Sequence, residues 1–199
     1  MQLVDFISET VTKAALIFGI FSYDCKRPSI IKMPLPPQGT LSHTKIVFLD
    51  CDGVVSPLSG KLFDPTRMAL LKKIIDATGA KIVLSTSWRA TDFGRNEVGK
   101  QLVLNSLPMF IDITPDFHGR SRSQEILDWL QRHEEQLDVV NFVALDDINL
   151  PSVAPDRVFF ARHAIVTNGS SGLTEDDATK AIRLLQDDNN YRASLSTSQ

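Results

Sequence analysis

The 199-residue chain has little cysteine: only Cys25 and Cys51. Two thiols build no disulfide framework and no zinc motif, which fits a reducing, cytoplasmic setting. An excess of one charge is also missing. Lys and Arg number 21 against 24 Asp and Glu, a formal net charge of −3. That balance argues against a broad nucleic-acid-binding surface, though not against a local basic patch. A membrane span is not expected either. The apolar stretch from Val11 to Tyr23 is interrupted by Lys13 and is too short to cross a bilayer comfortably. Asp5 and Glu9 precede it in place of a basic leader, so a signal peptide fits poorly. The stretch reads as an amphipathic helix that docks on the domain or a partner, with targeting as the alternative. Pro28, Pro34, Pro36, Pro37 and Gly39 then mark a linker ending near residue 43. The Ser/Thr-rich tail, 189–199, is expected to be disordered.

What is present suits one substantial core over 44–188: 43% apolar and 23% charged residues are ordinary for a globular domain. Past the linker, strands and helices alternate. Strands are predicted at Lys45–Asp50, Lys81–Ser85, Met109–Ile113, Asn141–Leu145 and Arg157–Ala161. Helices are predicted at Asp64–Thr78, about Asn96–Asn105, Ser123–His133 and Glu175–Gln186. Gly79 is placed as a C′ glycine, and Thr174 with Asp177 as a capping box. Repeated strand–helix units predict an α/β fold. The expectation is a Rossmann-like three-layer α/β/α sandwich around a mainly parallel five-stranded sheet.

Three of these strands run into polar residues. KIVFL ends in Asp50-Cys51-Asp52-Gly53. IVL ends in Ser85-Thr86-Ser87-Trp88-Arg89. FVAL ends in Asp146-Asp147. In a parallel sheet all three open on the same edge, where such folds bind ligands. Crowded carboxylates repel unless a cation or a shared proton relieves them. Asp50, Asp52, Asp146 and Asp147 are hard oxygen donors of the kind Mg²⁺ takes alongside a phosphate and waters. His118, His133 and His163 lack ligand spacing and are expected on the surface. Cys51 is expected to turn into the core.

In order and context, these segments resemble the phosphatase branch of the haloacid dehalogenase-like (HAD) superfamily. DCDGV resembles its first motif, Ser85 its second, Arg122 or Arg120 its third, and Asp146-Asp147 its fourth, at spacings of about 35, 37 and 24 residues. VLSTSWR, EILDWL and GLTEDDA further resemble the HAD-like domain of Swiss-army-knife RNA repair proteins. The resemblance implies a Mg²⁺-dependent phosphatase acting through an aspartyl-phosphate. Asp50 would be the nucleophile and Asp52 the general acid and base. Mg²⁺ would be held by Asp50, the Asp52 carbonyl and one of Asp146 and Asp147. Ser85 or Thr86 would donate to the phosphoryl group, and Arg122 or Arg120 would carry its charge. Trp88 could line a substrate groove or the core. Arg89 could bind substrate or pair with a carboxylate. The gaps between motifs leave no room for a large cap domain, so the phosphate would sit on a macromolecule, a nucleic-acid end or a phosphoprotein. The alternatives are a small-metabolite phosphatase and a non-catalytic HAD-like binding module.

Overall fold

Side chains on a strand alternate between its two faces, and β1, Thr44–Leu49, separates two cores by that rule. Val47 and Leu49 join one apolar cluster, Ile46 and Phe48 the other. The same parity holds in β2, Lys81–Leu84, where Ile82 and Leu84 oppose Val83. It holds again in β4, Val139–Asp146, where Val143 and Leu145 oppose Phe142 and Ala144. The computed structural model describes residues 43–117 and 119–187. The expectations for the N-terminal helix and linker, for His118 and for the tail lie outside the described residues.

Helices cover both faces. α1, Pro65–Thr78, α2, Asp92–Leu104, and α6, Glu175–Gln186, bury Met68, Leu71, Val98, Leu102, Ala181 and Leu185 in the first cluster. α3, Arg122–Leu137, with the short α4, Leu150–Val153, and α5, Arg157–Ala161, supply Ile126, Trp129, Leu150 and Phe160 to the second. The sheet is parallel throughout, in the order β3-β2-β1-β4-β5, where β3 is Asp112–Ile113 and β5 is Ala164–Val166. This is the expected Rossmann-like α/β/α sandwich. No cap domain interrupts the described residues: only the loop from Asp50 to Asp64 separates β1 from α1. No helix among the described residues is long and apolar enough to cross a membrane.

Local signals explain the boundaries. Asp64 caps α1 by accepting from the Thr66 and Arg67 N–H groups, and Gly79 closes the helix at φ 67°. Thr174 and Asp177 form the reciprocal capping box of α6. Three predicted elements are corrected. Arg157–Ala161 is a helix, because the Asp156 side chain caps it at the Phe159 N–H and a single turn suffices to bury Phe160 while Val158 faces out. The fifth strand follows it, at Ala164–Val166. The third strand shrinks from Met109–Ile113 to two residues at the sheet edge, since Met109 instead packs over Gly99 of α2. α2 begins at Asp92, ahead of the predicted Asn96, because Thr91 provides a cap. His163 is corrected from surface to core: it is fully buried and stacks on Phe142 with centroids 4.5 Å apart. His133 is half-buried and stacks on Trp129.

Candidate active site

The strand order places β1 between β2 and β4, the point where the chain, having built outward to β3, returns to the other side of the sheet. Ligand crevices of open parallel sheets lie at such points. β1 delivers Asp50, whose N–H donates to the Leu145 carbonyl across the ladder. Beyond it the backbone folds tightly. The Cys51 carbonyl accepts from the N–H groups of Val54, Val55 and Ser56, with Gly53 at φ 72°, a conformation L side chains rarely adopt. Thr167, just past β5, donates its hydroxyl to the Gly53 carbonyl at 2.8 Å and pins the turn from the far side.

Asp50 and Asp146 are both buried. Arg122, the first residue of α3, places Nη1 3.1 Å from Asp50 Oδ2 and 3.1 Å from Asp146 Oδ2. The Cys51 N–H donates to Asp50 Oδ1 at 2.8 Å, and the Thr86 side chain also favours the ionised carboxylate. Burial still pushes the Asp50 carboxyl above the ordinary carboxylate range, against the pull of Arg122. Asp146 is pushed up to about 7 by burial, with Arg122 opposing and Asp50 adding its repulsion. The two carboxylates outweigh burial at Arg122 and hold its guanidinium charged. The Cys51 thiol is raised well above its usual range by burial and by Asp50, so it stays protonated within the core.

Asp147 completes an acidic triad. Asp50, Asp146 and Asp147 each present one carboxylate oxygen, and these atoms lie within 4.8 Å of one another. Three hard donors so spaced, two of them buried, fit a divalent cation. The backbone is shaped around Asp147 as well. A Cβ on Gly53 would stand 2.4 Å from Asp147 Oδ2, and one on Gly169 would stand 2.8 Å from it. The Asp52 carboxylate is outside this triad. Its Oδ2 accepts from the indole Nε1 of Trp88 at 3.0 Å.

The remaining expected residues divide clearly. Arg122 meets the acids, whereas Arg120 points elsewhere, to Asp128 at 3.6 Å and over the Phe117 ring. The buried Ser85 Oγ has no hydrogen-bond partner among the described residues, while the Thr86 side chain helps to favour the ionised Asp50 carboxylate. Trp88 is half-buried, packs edge-on against Phe63 and donates its N–H to Asp52. Arg89 pairs with a carboxylate: it is buried against Glu125.

A family model described as the HAD domain in Swiss Army Knife RNA repair proteins matches residues 46–178. The chain belongs to this HAD family. The match spans β1 through the first turn of α6 and so contains every residue of the site just described. No curated protein and no solved structure matches the chain.

Glu125, Thr167 and Gly169 were not legible as site residues. Asn168-Gly169 is a turn signal, yet nothing in it indicates that the turn lies against Asp147. Glu125 reads in the sequence as an acidic residue of a helix's first turn, and its pairing with Arg89 is set by tertiary structure.

Proposed function

We propose that this HAD protein is a Mg²⁺-dependent phosphomonoester hydrolase whose substrate is a terminal phosphate on a nucleic acid. The observation that carries the reading is Arg122 seated between Asp50 and Asp146 within an acidic triad, with Asp52 held apart from it. The lack of a cap domain among the described residues and the family's description favour an end of RNA over a small metabolite.

Asp50 is the nucleophile: a carboxylate oxygen bonds to phosphorus, the bond to the leaving oxygen breaks, and an aspartyl-phosphate forms. Asp52 gives its proton to the leaving oxygen, then takes one from the water that hydrolyses the intermediate. Arg122 is already fixed on the nucleophile by ion pairing and offers its remaining N–H donors to phosphoryl oxygens. The phosphoryl contact from the second motif falls to Ser85, whose buried hydroxyl has no partner among the described residues, or to Thr86 beside it. A divalent cation held by Asp50 with Asp146 or Asp147 would neutralise phosphoryl charge when bound. The protonated, buried Cys51 suits a reducing cytoplasm.

The test is hydrolysis of p-nitrophenyl phosphate, followed by a panel of 3′- and 5′-phosphorylated oligonucleotides, phosphopeptides and sugar phosphates. EDTA should silence the enzyme and Mg²⁺ restore it. Ca²⁺, with its larger and looser shell, should restore it poorly. Full activity after metal stripping would overturn the metal assignment. Preference for phosphopeptides or sugar phosphates would overturn the nucleic-acid assignment. No turnover of any ester would leave a binding module.

A further inference from the structure

The turn between β2 and α2, Ser87–Ala90, makes contacts that a plain connection would not need. Trp88 bonds Asp52, and Arg89 bonds Glu125 one turn into the helix that starts with Arg122. Asp52 and the first turn of α3 are thus tied to two adjacent residues of this turn. The turn itself is held rigidly. Arg89 donates to the carbonyls of Thr86 at 2.6 Å, Thr114 at 3.1 Å and Pro115 at 3.3 Å, besides its ion pair with Glu125. Trp88 is wedged on its other side by Phe63, with centroids 5.4 Å apart and planes at 70°.

We infer that Trp88 is the positioning residue for Asp52, and that it fixes which oxygen of that carboxylate carries the catalytic proton. An indole N–H can donate but cannot accept. Asp52 Oδ2 therefore remains an acceptor toward Trp88 whether the carboxyl is ionised or neutral, and any proton resides on Oδ1. This role rests on the assignment of Asp52 as general acid and base. In the forward step Oδ1 gives its proton to the leaving oxygen as the Asp50 oxygen bonds to phosphorus. In the second step the same Oδ1 receives a proton from the attacking water. Holding Oδ2 leaves one rotamer and one oxygen for both transfers, which is the preorganisation a misplaced acid would lack.

Trp88→Phe tests this, because it keeps the aromatic contact with Phe63 and removes only the donor and one ring. In single-turnover assays the variant should lose about tenfold or more on alkyl phosphates, whose leaving groups need a proton. It should stay within about threefold of wild type on p-nitrophenyl phosphate, and its rates should depend more steeply on leaving-group pKa. Binding of trifluoroberyllate with Mg²⁺ should be unchanged. In an Asp52→Asn background the same substitution should add nothing, since the coupling runs through that carboxylate. A spectroscopic readout stands apart from turnover and from the folding of the Trp88 variant. The chain has two tryptophans, so the indole N–H region holds two signals. Asp52→Ala should move the Trp88 signal upfield and leave in place that of Trp129, which donates to Asp112. Unchanged leaving-group dependence in Trp88→Phe, in an active enzyme, would overturn the positioning role and leave the phosphatase reading standing. A stationary Trp88 signal in Asp52→Ala would overturn the contact itself. A wild-type protein that hydrolyses no ester would overturn the phosphatase reading and this role with it, while the indole signal would still report whether the contact exists.

Discussion

Arg89 and Glu125 meet inside the protein, Nη2 to Oε2 at 2.6 Å, with side chains 6% and 7% exposed. Glu125 also accepts the Phe117 N–H through its other oxygen at 3.2 Å. The pair therefore joins the ends of β2 and β3 to the start of α3. Removing one partner strands a buried charge, which costs far more than the intact pair contributes. Glu125→Ala should lower unfolding stability by about 3–5 kcal/mol. The double variant Arg89→Met with Glu125→Leu should lose much less than the two single losses combined. Urea denaturation of the three variants checks both statements.

Asp50→Asn should leave the fold intact and abolish turnover. Loss of a covalent nucleophile typically costs several orders of magnitude in rate. The stopped assay with p-nitrophenyl phosphate, run beside far-ultraviolet circular dichroism, gives the answer. Purified variant activity within about tenfold of wild type would remove Asp50 from the nucleophile's role.

Gly169→Ala should act on the metal and hardly on the fold. The added Cβ would stand 2.8 Å from Asp147 Oδ2, so that side chain must turn away. No left-handed backbone is required at this position, unlike Gly53 at φ 72°. Mg²⁺ affinity should fall by roughly tenfold or more, the scale on which displacing a group at a metal site is felt. Isothermal titration with Mg²⁺ measures it. Gly53→Ala should lose both metal affinity and stability, since it adds backbone strain to the same clash.

His163 sets an acid limit on stability. Burial pulls its pKa below the ordinary value near 6.5, with the Phe142 carbonyl opposing and Arg162 assisting. A depressed histidine folds best when neutral. Its contribution is complete above the unfolded pKa and is lost as pH falls through the folded one. The His163 contribution should therefore fall as the solution is acidified below about 6.5, with a slope approaching about 1.4 kcal/mol per pH unit for this proton, opposed over the same range by Asp146, whose raised carboxyl takes up a proton in the folded state. His163→Phe should remove this downward contribution, so that its stability relative to wild type rises as the pH is lowered, even if it lowers the plateau. Urea melts from pH 7.5 to 4.5 in both proteins would show an unchanged slope if His163 were not responsible.

Much of the site was legible because its chemistry sits where apolar runs stop. KIVFL, IVL and FVAL each announce a buried strand, and the polar residue after each one marks the same sheet edge. What the sequence withheld depends on direction and burial. Arg122 is favoured over Arg120 in the sequence only by standing immediately before the helix that holds Glu125; the contact of one with Asp50 and the other with Asp128 is set by the first turn of α3. Arg89 reads equally as a substrate ligand or a carboxylate's partner, and its burial follows from carbonyls contributed by residues 114 and 115. The run Arg157–Ala161 carries strand-like side chains, yet one aspartate cap and a place for Phe160 against Phe142 make it helical. Local propensity gives way there to packing.

The strand order has a consequence for how the protein is made. As the chain leaves the ribosome, β1, β2 and β3 appear first, while the partner on the other side of β1 is not yet synthesised. Until Val139–Asp146 arrives, a nascent chain that has paired β1 with β2 carries an open, apolar edge along Thr44–Leu49. Such an edge invites pairing with other chains. The same delay means that Asp50 waits for Asp146 and Asp147, so no fragment ending before β4 can assemble the acidic triad. Truncations meant to isolate the catalytic unit must therefore extend through β4, and expression that stalls before it should yield aggregate in place of a smaller working domain.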